Sequence, residues 1–168
     1  MLRLMGAALV AGGGAMAGFL AVSRLRERVR TISSFLGALE LMESEIRFRL
    51  TPIPELMEFL AQKTGEPAAS FFRTCRREWE KREEESFSRI WQKGLETLLP
   101  AAPEREVLDQ LGEILGRYDV EGQRQAIGYV RRRLEGLLRQ AEEERKTRGR
   151  AYFASGFAVG LCLAVILL

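Results

Sequence analysis

From Leu25 onward, apolar residues recur in alternating steps of four and three: Leu25, Val29, Ile32, Leu36 and Leu39, then the carboxylate Glu43, then Ile46 and Leu50. That spacing keeps one stripe of a helix apolar and predicts a long first helix with a single acid in its seam. Thr51 and Pro52 interrupt the pattern. Thr51 suits a helix cap, Pro52 the first helical position, and Ile53, Leu56, Met57 and Leu60 form the next apolar face. Gly65 and Pro67 close that short helix. A third helix carries Ala68, Phe72, Cys75 and Trp79 on one side. At Glu83, Glu84 and Glu85 the pattern lapses into charge, and Ser86 can cap a fourth helix bearing Phe87, Ile90, Trp91, Leu95 and Leu98. Pro100 and Pro103 bracket the next connection, and Val107, Leu108, Leu111 and Leu115 mark a fifth helix. Leu115-Gly116 reads as its end and Asp119 as the cap of a last helix, with Gln123 in the first turns and Ile127, Val130, Leu134, Leu137 and Ala141 on its apolar side. No segment alternates with the period of a strand, so the expected fold is all-α, an antiparallel bundle of about six helices.

The two ends read differently. Leu4 to Val22 is an uncharged stretch of 19 residues and Ala151 to Leu168 one of 18, each near the length a helix needs to cross a bilayer. Apart from Arg3, every charged side chain lies between them. This predicts a transmembrane helix at 1–22, a helical-bundle domain at 23–150 and a second transmembrane helix at 151–168. Arg24, Arg26, Arg28 and Arg30 follow the first stretch, and Arg145, Lys146, Arg148 and Arg150 precede the second. By the positive-inside rule the body is then cytoplasmic, with both termini across the membrane. Under that topology the first and last helices run antiparallel and side by side, because their membrane ends share one plane. Arg3 and the small residues Ala15-Met16-Ala17 also fit a cleaved signal peptide, a reading that the arginine series downstream opposes. Gly14 with Gly18, and Gly156 with Gly160, are spaced for close helix packing in lipid, between the two spans or with a partner's spans.

Composition narrows the chemistry. The chain has no histidine, so the commonest general base and metal ligand is missing, and its two cysteines can make neither a disulfide framework nor a four-ligand zinc site. Cys75 falls on an apolar face, as a buried thiol would. The net charge of +3 is spread through interleaved acids and bases, and the basic clusters beside the two stretches follow from topology and not from binding nucleic acid. No glycine-rich segment leads into a lysine and a hydroxyl residue as a phosphate loop requires. These features predict a protein that is not an enzyme and uses no cofactor or metal. The candidates for bundle pairing or partner binding are Glu43 and Glu45 on the first helix and the basic run Arg131, Arg132 and Arg133 on the last. An acid in a buried seam must be paired, hydrogen-bonded or protonated. Glu43 therefore either meets an arginine of the last helix or lines a groove that docks a basic partner.

Leu41-Met42-Glu43-Ser44-Glu45-Ile46 with Thr51-Pro52-Ile53-Pro54-Glu55, then Leu111-Gly112, Leu115-Gly116, Asp119 and Gln123, and the glycine-rich end closing on Val165-Ile166-Leu167-Leu168, together resemble the stage III sporulation protein AB family of endospore-forming bacteria. The resemblance runs the length of the chain; glycines at 12 to 14 are its one departure. It implies a membrane component of the assembly linking mother cell and forespore, with its soluble domain in the mother-cell cytoplasm. The family's domain is in turn similar to the cytoplasmic helical domains of the platform protein of type II secretion and type IV pilus machines. That similarity implies a secretion-type sporulation ATPase as partner, beside other membrane proteins of the same assembly. A membrane-tethered scaffold that forms homo-oligomers or binds lipid is the competing expectation.

Overall fold

In the computed structural model the backbone is described for residues 2–81, 85–115 and 119–167, and side chains for residues 20, 22–81, 85–115 and 119–148. Six helices account for nearly all of it: α1 (Leu2–Phe48), α2 (Ile53–Lys63), α3 (Ala68–Lys81), α4 (Phe87–Leu98), α5 (Pro103–Ile114) and α6 (Val120–Leu167). The described residues contain no strand. The all-helical expectation holds, and so do the number and order of the helices. Backbone hydrogen bonding carries α1 without a break through Gly12 to Gly14. Among the described residues no helix is long and apolar enough to cross a membrane. Apart from Leu20 and Val22, the side chains of both predicted spans lie outside the described residues, those at Gly14, Gly18, Gly156 and Gly160 included.

The chain divides into two compact units, residues 1–29 with 139–168, and residues 30–138. In the first, Leu25 and Ala141 are buried and Arg28 lies 3.5 Å from Glu144, joining α1 to α6.

The second unit holds the aromatic core. Its α2 packs on α3, α3 on α4, and α4 on α5. Phe35 of α1 meets Phe71 of α3 edge-on at 5.4 Å between ring centroids, Phe71 meets Trp91 of α4 at 4.9 Å, and Trp91 meets Phe87 at 5.7 Å. Trp91 is wholly buried, and its indole N–H donates to the Leu108 carbonyl of α5 at 2.9 Å. Ser34 Oγ ties α1 to the start of α3 by accepting the Ala68 amide at 3.3 Å. Val107, Leu108, Leu111 and Leu115 are all buried, as the spacing in α5 predicts. Burial pushes the Cys75 thiol up to about 12, which keeps it protonated and unreactive at neutral pH.

Two expectations about α1 and its end need correction. The buried stripe runs Ile32, Phe35, Leu39, Met42 and Ile46, with Ala38 and Glu45 beside it. It has the same heptad period, but the steps of three and four fall in the opposite order, so Phe35 and Met42 replace Leu36 and Glu43 in the seam. An aromatic ring and a thioether are better filling for a core than a carboxylate, which costs free energy to dehydrate. The seam also ends at Ile46, because Leu50 lies beyond the helix and is exposed.

Thr51 does not cap α2 either. Pro52 occupies that cap position with no side-chain bond, while the Thr51 hydroxyl donates to the Glu45 carboxylate at 3.0 Å. Leu50, between α1 and this turn, has φ of 52°, in the left-handed region that favours glycine. Leu50→Gly is expected to raise stability by about 1 kcal/mol in urea melts, since it removes that strain and no buried contact.

Candidate functional site

The residues singled out for pairing come from the facing helices α1 and α6. Arg131 Nη1 donates to Glu43 Oε2 at 3.2 Å, and Arg131 Nε lies 3.8 Å from Glu135 one turn on.

The Glu43–Arg131 pair is only half-buried, with side chains 27% and 36% exposed. At that exposure water screens the attraction, and Glu43→Ala is expected to cost no more than about 1 kcal/mol in a thermal or urea melt. A cost of about 3–5 kcal/mol would belong to a fully buried pair broken from one side. Arg132 and Arg133 are exposed, on the face that also presents the half-exposed Tyr129 one turn earlier. Sequence reasoning missed Tyr129, although its spacing of three and four from the two arginines was there to be read.

Glu45 is the more deeply buried acid of α1, at 8% exposure. It accepts from Thr51, and Arg49 Nη1 approaches it at 3.5 Å. The Arg49 amide also closes the helix on the Glu45 carbonyl at 2.9 Å. Glu45 thus fixes the turn from α1 to α2, and the residues around that turn are unusual in another way. Phe48 and Leu50, 72% and 68% exposed, flank Arg49 there. Arg47 lies over the Phe48 ring, 5.0 Å from its centroid.

Nothing in this arrangement resembles a reaction centre. Among the described residues no group of three or more acidic or cysteine side chains is placed to hold a metal ion. A cavity of about 370 Å³ opens between α3 and α4, lined by Phe71, Ile90 and Gly94 and rimmed by the Lys93–Glu85 ion pair. Its titratable groups are taken up in such surface pairing.

A family model described as stage III sporulation protein AB matches residues 3–168. The chain belongs to that family. The stage III sporulation protein AB of Bacillus subtilis (strain 168) is 28% identical to it over 175 residues, covering the whole of both chains. A solved structure of a stage III sporulation protein AB superposes with a TM-score of 0.63 at 27% identity, over 72% of this chain and 98% of its own. Membership assigns the protein a role in the sporulation assembly, and the family name is not that of an enzyme class.

The residues that carry the resemblance to stage III sporulation protein AB have structural places in the fold. Met42 and Ile46 are core, Glu45 and Thr51 hold one turn together, and Leu111 and Gly112 lie buried in α5. Asp119 Oδ1 accepts the Gly122 amide at 3.0 Å, and its carbonyl accepts the Gln123 amide, so it caps α6 as expected.

One acid beside the core is held out of its ordinary range. Burial raises the Asp109 carboxyl, with Arg105 opposing and Glu96, Glu113 and Glu106 reinforcing, and its Oδ1 has no hydrogen-bond partner. A raised pKa means that the folded chain holds this proton more tightly than the unfolded chain. Its contribution is fully present below the ordinary aspartate range and is lost as pH rises through the folded value. Asp109→Asn is therefore expected to stabilise the protein at pH 7, with the gain shrinking towards pH 4, as urea midpoints at the two pH values would show.

Proposed function

We infer that this protein is a non-catalytic platform of the sporulation channel linking mother cell and forespore. It is held in the mother-cell membrane by its two apolar ends and offers its helical body to a secretion-type sporulation ATPase in the cytoplasm. The observation that carries this reading is family membership from residue 3 to the C-terminal residue, in a chain whose only long uncharged stretches are its two ends, each flanked by arginines on the body side. The exposed arginines and aromatics of α1 and α6 supply contact residues of the types that dominate protein interfaces. Sister membrane proteins of the assembly would meet the apolar ends, where the glycine spacings favour close helix contact.

Topology and partner are tested together. Reporters that work only outside the cytoplasm should be active when fused after Leu168 and silent when inserted after Gly65. The full chain purified in lipid nanodiscs should bind the assembly's ATPase in a saturable manner. Activity of the reporter at Gly65 would reverse the topology. Self-association with no affinity for the ATPase would favour a membrane-tethered scaffold without a motor.

A further inference from the structure

Among the described residues four large apolar or aromatic side chains are exposed, Phe48 and Leu50 the most: Leu20, Phe48, Leu50 and Tyr129. Two of them stand two residues apart at the end of α1, where no helix periodicity requires them. One of these, Leu50, is also held at φ of 52°, a conformation that leucine adopts only when its surroundings impose it. The contacts around it run from Glu45 to Pro52. The Arg49 amide bonds the Glu45 carbonyl, the Thr51 hydroxyl bonds the Glu45 carboxylate, and Pro52 follows with φ of −58°. A chain that fixes a strained turn with a buried acid, and hangs two exposed apolar side chains from it, has already met the ordering cost of a contact.

We propose that this turn is a rigid docking tip, with Phe48 and Leu50 as apolar anchors and Arg47 and Arg49 as a cationic rim, and that its occupant is an apolar recess bordered by carboxylates on a partner protein. This deepens the platform reading above and rests on it. Charge selects the occupant. Arg47 and Arg49 are both exposed, and the Glu45 carboxylate that Arg49 approaches is itself buried, so the outer surface of the tip is cationic: the tips of two copies repel each other, and an acidic surface is attracted.

The test uses the full chain in nanodiscs, with the ATPase as probe and two substitutions read for both binding and melting. Phe48→Ser is expected to weaken binding about tenfold or more with an unchanged melting temperature. Leu50→Gly should weaken binding although it raises the melting temperature, a combination that a merely structural role cannot produce. A photo-reactive residue at position 48 should crosslink to the ATPase. Binding by the wild type that neither substitution changes would overturn the docking tip and leave the platform reading standing. No binding by the wild type would overturn that reading and the tip with it. Crosslinks from position 48 only to lipid or to a second copy would overturn the choice of occupant.

Discussion

Trp91→Ala should cost about 4 kcal/mol or more, the largest loss expected from any single truncation in this protein. The indole is wholly buried and touches the rings of Phe71, Phe72 and Phe87, so its removal leaves a cavity among side chains that cannot all move in to fill it. It also strands the Leu108 carbonyl, which accepts the indole N–H. Small domains are stable by only about 5–15 kcal/mol, so the variant would lose much of its margin. Chemical denaturation followed by circular dichroism would measure it. A loss below about 2 kcal/mol would mean that α4 and α5 collapse onto the gap far better than cores usually do.

Gly112→Ala is expected to change sign with its background. A Cβ at Gly112 would stand 2.5 Å from Trp91 Cδ1 and 2.7 Å from Cγ, closer than carbon atoms approach, and the ring is packed on its other sides. Overpacking of this kind costs about 1–3 kcal/mol, against roughly 1 kcal/mol returned by the better helix propensity of alanine. In the wild type the substitution should therefore destabilise. In the Trp91→Ala background those two ring atoms are gone, and the remaining neighbour, the Cβ of residue 91 at 3.0 Å, has the emptied ring site beside it to shift into, so the same substitution should stabilise by up to about 1 kcal/mol. The double-mutant cycle isolates the contact, and Gly37→Ala, where an added Cβ meets nothing within 4 Å, serves as the control that gains in both backgrounds.

Neither of these contacts could be read from the sequence. Periodicity tells which face of a helix is apolar, and it placed Trp91 on the buried side of α4 and Leu111 on that of α5. It does not tell which residue opposes which. That the indole should reach Leu108, seventeen positions away, and rest on Gly112 depends on how two helices slide along each other, which their own repeat leaves open. The breaks between helices were legible because proline, glycine and a capping aspartate act locally: Pro103 opens α5 and Asp119 caps α6 as read.

The seam of α1 shows the opposite case. Steps of four and three fit two phases equally well by spacing alone, and the phase through Leu36 and Glu43 differs from the true one through Phe35 and Met42 only in chemistry. The acid was itself the sign that the phase was wrong. Displaced from the seam, Glu43 pairs with Arg131, while Glu45, two positions on, is the acid that the core edge encloses. The exposed Phe48 and Leu50 were hidden for a related reason, since continuing the repeat through Leu50 assumed a helix that ends at Phe48.

The tryptophans have a spectroscopic consequence. The chain has only two, Trp79 and Trp91, and both fall within residues 30–138. Trp91 is sealed among aromatic rings, while Trp79 is half-buried with its ring 5.8 Å from Phe87. Tryptophan emission, excited at wavelengths where tyrosine does not absorb, therefore watches one unit and is blind to the other, with a quencher such as acrylamide reaching Trp79 before Trp91. Far-ultraviolet ellipticity weighs all six helices, including the whole of α1 and α6. A melt in which the two signals part company would be the optical signature of the aromatic unit unfolding separately from the rest of the chain.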